Sequence, residues 1–125
     1  MSTLPRCVIL RHEMPADSDR PSHWDFMLEA DDTLLTWQWD ELPKNQHRFR
    51  ARQLEPHRVE YLSQEGELSH NRGTVTRIDQ GTFTPAIKNL TTEFEILLQL
   101  QQFSGTLTGK QVSNNQWLFE FTPAN

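Results

Sequence analysis

Apolar and polar residues alternate with a period of two along most of this chain, which is the pattern of half-buried β-strands. A strand turns successive side chains to opposite faces, so alternate residues share a face. In the third segment, for example, Leu35, Trp37 and Trp39 fall on one face. The pattern predicts strands over 7–10, 24–29, 33–39, 48–52, 73–78, 94–100, 105–109 and 116–121.

Turn-forming residues separate these segments. Asp31-Asp32 and Asn114-Asn115 each lie between two predicted strands, so each predicts the tip of a hairpin. Loops are expected over 14–22 and 42–46, a short extended piece over 59–62, and turns at 65–66, 71–73 and 79–81, the last of which would end the strand that begins at Gly73.

The segment from Glu93 to Gln102 is the one stretch with good helix propensity. Its apolar residues at 94, 96, 98 and 100 alternate, which favours a strand. Short strands with turns every eight to twelve residues are typical of a β-barrel or a β-sandwich. We therefore expect an all-β fold, with residues 1–125 forming a single domain of modest core.

Composition narrows the class of protein. Cys7 is the only cysteine, so no disulfide can form within the chain, and a cytoplasmic location is expected. No apolar run approaches the roughly 18 residues that cross a bilayer. The net charge of −5 argues against a protein that coats nucleic acid non-specifically. However, Arg48, Arg50 and Arg52 alternate with other residues along one predicted strand. That row is either a solvated strand face or a track for phosphates.

Two histidines and one carboxylate offer candidate chemistry. His23 and Asp25 are two residues apart, so they share a strand face, and His12 lies at the end of the preceding segment. Two imidazoles and a hard oxygen ligand suit Mn²⁺, Fe²⁺, Co²⁺ or Zn²⁺ with positions left open for substrate. The alternative is the polar face of a half-buried strand that binds nothing, because His-x-Asp is a short and common pattern.

Several motifs in order resemble the 3′-phosphoesterase domain of bacterial DNA ligase D and its stand-alone relatives. The family has a histidine, then a His-aromatic-Asp-Phe strand, a tryptophan on the next strand, an acidic-x-His-x-x-x-Tyr segment, a Glu-Gly turn, a Gly-x-Val strand and an Asp-x-Gly motif. The corresponding residues, spread over 7–83, are His12, His23-Trp24-Asp25-Phe26, Trp37, Glu55-Pro56-His57 with Tyr61, Glu65-Gly66, Gly73-Thr74-Val75 and Asp79-Gln80-Gly81.

The resemblance implies a compact β-barrel with a crescent-shaped active face. It implies a metal ion, usually manganese with Zn²⁺ or Co²⁺ as alternatives, on His12, His23 and Asp25. His57 matches the family's catalytic histidine, and Tyr61 and Glu55 match supporting positions near it.

The activity that the resemblance implies is removal of a 3′-phosphate or a terminal ribonucleoside from DNA or RNA 3′ ends during end repair. The nucleic-acid end would be the substrate, DNA ligase and end-joining proteins the partners, and the protein a monomer without membrane association.

The chain departs from the family pattern beside the metal positions. Met27 stands where the family has an arginine that grips the phosphate, and Leu10 replaces a polar residue. Arg11, Arg50 or Arg72 are the candidates for binding the substrate phosphate instead. Otherwise the protein is a catalytically weakened or inactive metal-binding module that recognises phosphorylated ends or a repair partner. A third hypothesis is a metal-binding β-barrel that binds a small ligand and does not act on nucleic acid.

Overall fold

The computed structural model describes residues 3–43, 47–87 and 92–124, except for the side chain of His47. Nine strands and one 3₁₀ helix, Val59–Ser63, make up the fold of these residues. The strands are β1 (Arg6–Glu13), β2 (His23–Ala30), β3 (Thr33–Trp39), β4 (His47–Arg58), β5 (Gly66–Glu67), β6 (Thr74–Thr84), β7 (Glu93–Leu100), β8 (Ser104–Ser113) and β9 (Gln116–Pro123). Within the described residues, no helix has the length and apolar character needed to cross a membrane.

Eight of the strands close into an antiparallel barrel. Their order is β1-β2-β3-β4-β9-β8-β7-β6, and β6 pairs back onto β1 over Arg6–Glu13. The short strand β5 lies outside this ring and pairs only with the start of β6. Closure satisfies the backbone groups that an open sheet would leave at its edges, and it confirms the predicted all-β barrel over a sandwich.

The barrel interior is packed mainly with aromatic side chains. Trp37, Trp39 and Trp117 are completely buried, as the alternating pattern predicts. Phe26 stacks on Trp39 with ring centroids 4.4 Å apart. Buried rings of this size remove large apolar areas from water, which compensates for the polar composition of the chain.

A second apolar cluster lies on the outside of the barrel. This outer cluster consists of Val8, Leu10, Met27, Leu34 and Val75. Tyr61, Leu62 and Leu68, from the 3₁₀ helix and the segment after it, cover the cluster. Since inner residues alternate with outer ones, β1 and β2 are buried on both faces where they run beneath this cover. That double burial explains the unbroken apolar run from Cys7 to Leu10.

Three local predictions were wrong. The turn expected at 65–66 is absent, because Gly66 begins β5. Residues 59–62 are not extended but belong to the 3₁₀ helix Val59–Ser63. The expected turn at 79–81 is absent, because β6 continues through these residues to Thr84. Its register against β1 shifts between Ile9 and Leu10, so Ile78 is an extra residue that forms a bulge.

The carboxylate of Asp79 explains why turn-like residues occur inside this strand. It is buried and accepts hydrogen bonds from the backbone N–H groups of Gln80, Gln101, Gln102 and Phe103. Asp79 therefore stabilises the β7–β8 connection instead of forming a turn of its own.

The other predicted elements are confirmed. Residues 93–100 form a strand, not a helix, and both hairpins have the expected tips at 31–32 and 114–115. The segment 14–22 is a loop. Of the expected loop 42–46, residues 42–43 lie outside the strands, and residues 44–46 lie outside the described residues.

Candidate metal centre

Pairing of β1 with β2 brings the three candidate ligands together. His12 lies opposite His23, and Leu10 lies opposite Asp25. Directly paired residues point to the same face, so all three polar side chains stand on the outer face of the barrel. One ligand atom from each of His12, His23 and Asp25 lies within 4.8 Å of the other two, a cluster that could hold a metal ion.

Backbone carbonyls fix the orientation of both imidazole rings. The Nε2 of His12 lies 2.7 Å from the carbonyl oxygen of Arg72, and the Nδ1 of His23 lies 3.2 Å from that of Pro21. A carbonyl oxygen can only accept a hydrogen bond, so each of these nitrogens donates one. In the neutral rings the lone pairs are then on Nδ1 of His12 and Nε2 of His23, and both face Asp25.

Asp25 presents a buried carboxylate to these two lone pairs. Its Oδ1 is 3.2 Å from Nε2 of His23, and its Oδ2 is 3.8 Å from Nδ1 of His12. Oδ1 is buried and accepts no hydrogen bond from any described residue. An acceptor facing another acceptor in a buried place is costly unless a cation lies between them. The donor set therefore fits a divalent metal ion.

The carboxylate stays ionised and favours positive charge beside it. Burial by itself raises the pKa of Asp25, but hydrogen bonds and attraction from protonated His12 and His23 outweigh burial, and the pKa falls from 3.8 to about 2. The same contact with Asp25 raises the pKa of His12 above its ordinary 6.5, against the opposing effect of burial. A proton and a metal ion therefore compete for His12.

His57 and Tyr61 form a second cluster on the same outer face. The Nδ1 of His57 donates a hydrogen bond to the carbonyl oxygen of Glu55 at 2.9 Å, so Nε2 carries the lone pair of the neutral ring. The Tyr61 ring meets the imidazole edge-on, with centroids 5.1 Å apart. Glu55 thus contacts His57 through its backbone, and its own side chain is exposed.

The outer cluster separates these two groups of residues. His57 pairs with Leu34, which pairs with Glu29, so His57 lies two strands across and four residues along from Asp25. That is roughly 10 Å across the strands and 13 Å along them. Position 27 lies between the two groups, and Met27 fills it with a side chain that is 1% exposed.

The three arginines expected to bind phosphate occupy different places. Arg11 packs over the Trp24 ring at 4.2 Å and donates to Glu13 at 2.9 Å, on the face of β1 opposite to His12. The guanidinium of Arg72 donates to the backbone and hydroxyl oxygens of Ser69. Arg50 is exposed on the outer face of β4.

Strand register places another arginine, Arg52, in line with the candidate metal ligand Asp25. Asp25 pairs with Gln38, and Gln38 pairs with Arg52, so these three side chains form one row on the outer face. The alternation of the arginine row was visible in the sequence. Its alignment with Asp25 was not, because alignment depends on the register of three strands.

The family model of the DNA ligase D 3′-phosphoesterase domain matches residues 12–120. The match covers most of the chain, including β7, β8 and the first part of β9, beyond the motifs that carried the resemblance in the sequence. No curated protein matches the chain significantly.

Proposed function

The chain belongs to the family of DNA ligase D 3′-phosphoesterase domains, which act on nucleic-acid 3′ ends in end joining, and we propose that it is a metal-dependent member. It would remove a 3′-phosphate or a terminal ribonucleoside from DNA or RNA. The proposed ligands are His12, His23 and Asp25, and the proposed metal is Mn²⁺, with Zn²⁺ or Co²⁺ as alternatives that the same donor set accepts.

One observation supports this proposal above the others. A buried carboxylate oxygen of Asp25 faces an imidazole nitrogen and has no hydrogen-bond donor among the described residues. Stability alone would favour a donor at this place, since an unsatisfied buried acceptor costs about 1–3 kcal/mol. A binding site for a cation accounts for the arrangement.

The proposed roles of the remaining residues follow from their free atoms. When bound, a divalent ion neutralises phosphate charge and lowers the pKa of a coordinated water. Protonated His57 would donate a hydrogen bond from Nε2 to the phosphate or protonate the leaving oxygen, because its Nδ1–H already donates to the carbonyl oxygen of Glu55. Tyr61 would hold the imidazole plane through its edge-on contact.

The exposed arginines of β4 would anchor the nucleic-acid backbone. Arg48 is paired with Glu120 at 3.3 Å, whereas no ion pair is found for Arg50 or Arg52 within the described part of the chain. Arg52 shares a row with Asp25, so its guanidinium can reach a phosphate bound near that carboxylate. Arg11 and Arg72 would have to leave their present partners to take this role.

The test is release of inorganic phosphate from a 3′-phosphorylated primer in the presence of Mn²⁺. Wild type should release phosphate, chelation should abolish release, and His57→Ala should lower the rate by roughly 10²–10⁴-fold. Glu95→Ala is the matched control, because Glu95 is exposed on β7 outside both clusters. Equal rates for wild type and His57→Ala at equal metal loading would contradict the proposal.

A second candidate function is binding of phosphorylated ends with little turnover. The observation that favours it is the buried Met27 at the position of the family's arginine, since loss of a preorganised phosphate contact typically costs 10²–10³ in rate. This second function predicts that the protein binds 3′-phosphorylated ends in a Mn²⁺-dependent way. It also predicts no phosphate release from any 3′-phosphorylated DNA or RNA primer, which distinguishes it from the first function.

A further inference from the structure

The turn between β5 and β6 has an unusual backbone. His70, Asn71 and Gly73 all have positive φ angles, of 60°, 54° and 93°. Residues other than glycine rarely adopt this left-handed region, so a turn that places two of them there, His70 and Asn71, requires compensating contacts. The conformation directs the carbonyl oxygen of Arg72, between Asn71 and Gly73, to 2.7 Å from Nε2 of His12.

Gly73 allows the turn to approach β1. A Cβ atom at this position would lie 2.0 Å from the backbone oxygen of Glu13, the neighbour of His12. The atom in conflict belongs to the main chain of a barrel strand, so it has little freedom to move. Any side chain at position 73 would push the turn, and with it the Arg72 carbonyl, away from His12.

Other hydrogen bonds hold the turn in this shape. The N–H of Leu68 donates to the carbonyl of Gly73 at 2.7 Å. The Arg72 guanidinium folds back onto Ser69, donating to its backbone oxygen at 2.9 Å and to its hydroxyl at 3.1 Å. The side chain of Arg72 thereby closes the turn, while its carbonyl points to the candidate metal centre.

We propose that the turn 69–73 is a positioning element of the metal centre. The Arg72 carbonyl holds His12 in the tautomer with the proton on Nε2, so that the lone pair of Nδ1 faces Asp25, and Gly73 makes this contact sterically feasible. The inference rests on the proposed metal site. It assigns Arg72 and Gly73 a role through their backbone, independent of any contact between the Arg72 guanidinium and a phosphate.

The experiment compares Gly73→Ala with Gly66→Ala. Both glycines have positive φ angles, 93° and 104°, so both substitutions strain the backbone, but a Cβ at Gly66 meets nothing within 4 Å. The first measurement is the ¹⁵N NMR spectrum of the imidazoles in metal-free protein, at a pH where they are neutral. The second is the affinity for Mn²⁺ by calorimetric titration.

We expect wild type and Gly66→Ala to show His12 protonated on Nε2. Gly73→Ala should show a mixture of His12 tautomers and bind Mn²⁺ about 10–100-fold more weakly, the usual effect of losing an outer partner of a metal-binding histidine. An unchanged tautomer and affinity in folded Gly73→Ala would overturn the proposal. If Gly73→Ala does not fold, the tautomer of His12 in the wild-type protein tests the proposal. A proton on Nδ1 overturns the proposal, and a proton on Nε2 upholds it.

Failure of the positioning role and failure of the proposed function give different results. Wild type that binds no Mn²⁺ contradicts the metal site and the proposed activity. The tautomer of His12 is measured without metal and without substrate, so it tests the turn in either case.

Discussion

At the scale of single residues, the candidate metal centre depends on which atom each side chain presents. The spacing of His23 and Asp25 predicted that they share a face, because alternation in a strand is a local property. It could not predict the carbonyl partners of His12 and His23, which come from the backbones of two irregular segments around Arg72 and Pro21. Residue type and spacing therefore identify the ligands, and the loops select their binding nitrogens.

Asp25→Asn should weaken Mn²⁺ binding by at least about 100-fold, because it removes the only anionic member of the set and costs more than loss of an outer partner. Calorimetric titration of metal-free protein measures the effect. Asp32→Asn is the matched control, since Asp32 is exposed in the β2–β3 turn. A variant Asp25→Asn with wild-type affinity would place the metal elsewhere.

The Asp25–His12 contact should make the stability of the metal-free protein depend on pH. The folded pKa of Asp25 lies below its ordinary 3.8, so its stabilisation is present above pH 3.8 and is lost as the pH falls toward about 2. The folded pKa of His12 is raised, so its stabilisation is present below pH 6.5 and is lost as the pH rises through the raised pKa. Metal-free protein should be most stable between these limits.

Urea unfolding of wild type and Asp25→Asn across this pH range, with a chelator present, measures that contribution. In wild type, the contribution of Asp25 to the free energy of unfolding that is lost at acidic pH should be about 2 kcal/mol. In Asp25→Asn the free energy of unfolding should depend less on pH. Affinity for Mn²⁺ should instead rise with pH, as His12 gives up its proton. Parallel profiles for wild type and Asp25→Asn would contradict the proposed coupling.

At the scale of elements, the outer cluster explains the two departures from the family pattern. Leu10 and Met27 are both members of the cluster that the 3₁₀ helix and its following segment cover. The apolar residues at these positions were visible in the sequence. Their common cover was not, because the sequence pattern of 59–62 predicted an extended segment in place of the 3₁₀ helix.

Restoring the family's arginine should be costly in this environment. Met27→Arg would bury a guanidinium beside Val8 and Leu34, so we expect the free energy of unfolding to fall by about 3 kcal/mol or more. Met27→Leu keeps the volume and apolar character and should cost less than about 1.5 kcal/mol. Denaturant unfolding of both variants checks the difference, and a stable Met27→Arg would show that the cluster opens to solvent.

The Asp-x-Gly motif in β6 has a structural role that its turn-like composition concealed. Asp79 accepts hydrogen bonds from four backbone N–H groups, and Gly81 lies so close to β7 that a Cβ would be 2.0 Å from the oxygen of Gln99. Asp79→Ala should therefore destabilise the protein by about 3 kcal/mol or more in denaturant unfolding, because four partly buried backbone N–H groups lose a charged acceptor. Asp32→Ala, in an exposed turn, should change stability little.

At the scale of the whole molecule, turn spacing predicted an all-β fold, but not its closure. The ring depends on two long-range pairings, β1 with β6 and β4 with β9, whose registers join residues far apart in the sequence. The registers of β3 against β2 and β4 set the distance between the candidate metal ligands and His57, and they align Arg52 with Asp25. A family pattern supplies the members of the site, and only the folded barrel supplies their arrangement.

The charge distribution should give salt-dependent binding despite a net charge of −5. Arg52→Gln should weaken binding of a 3′-phosphorylated primer and reduce the slope of log affinity against log salt by about one. Arg48→Gln is the matched control, because Arg48 is already paired with Glu120. Fluorescence anisotropy at several salt concentrations measures both, and equal slopes for wild type and Arg52→Gln would exclude Arg52 from the interface.

The most direct test of the central claim is anomalous diffraction from crystals soaked with Mn²⁺. The proposed site predicts a single strong manganese peak bonded to Nδ1 of His12, Nε2 of His23 and the carboxylate of Asp25. A manganese peak bonded to other residues, or none at these three under saturating Mn²⁺, would contradict the account.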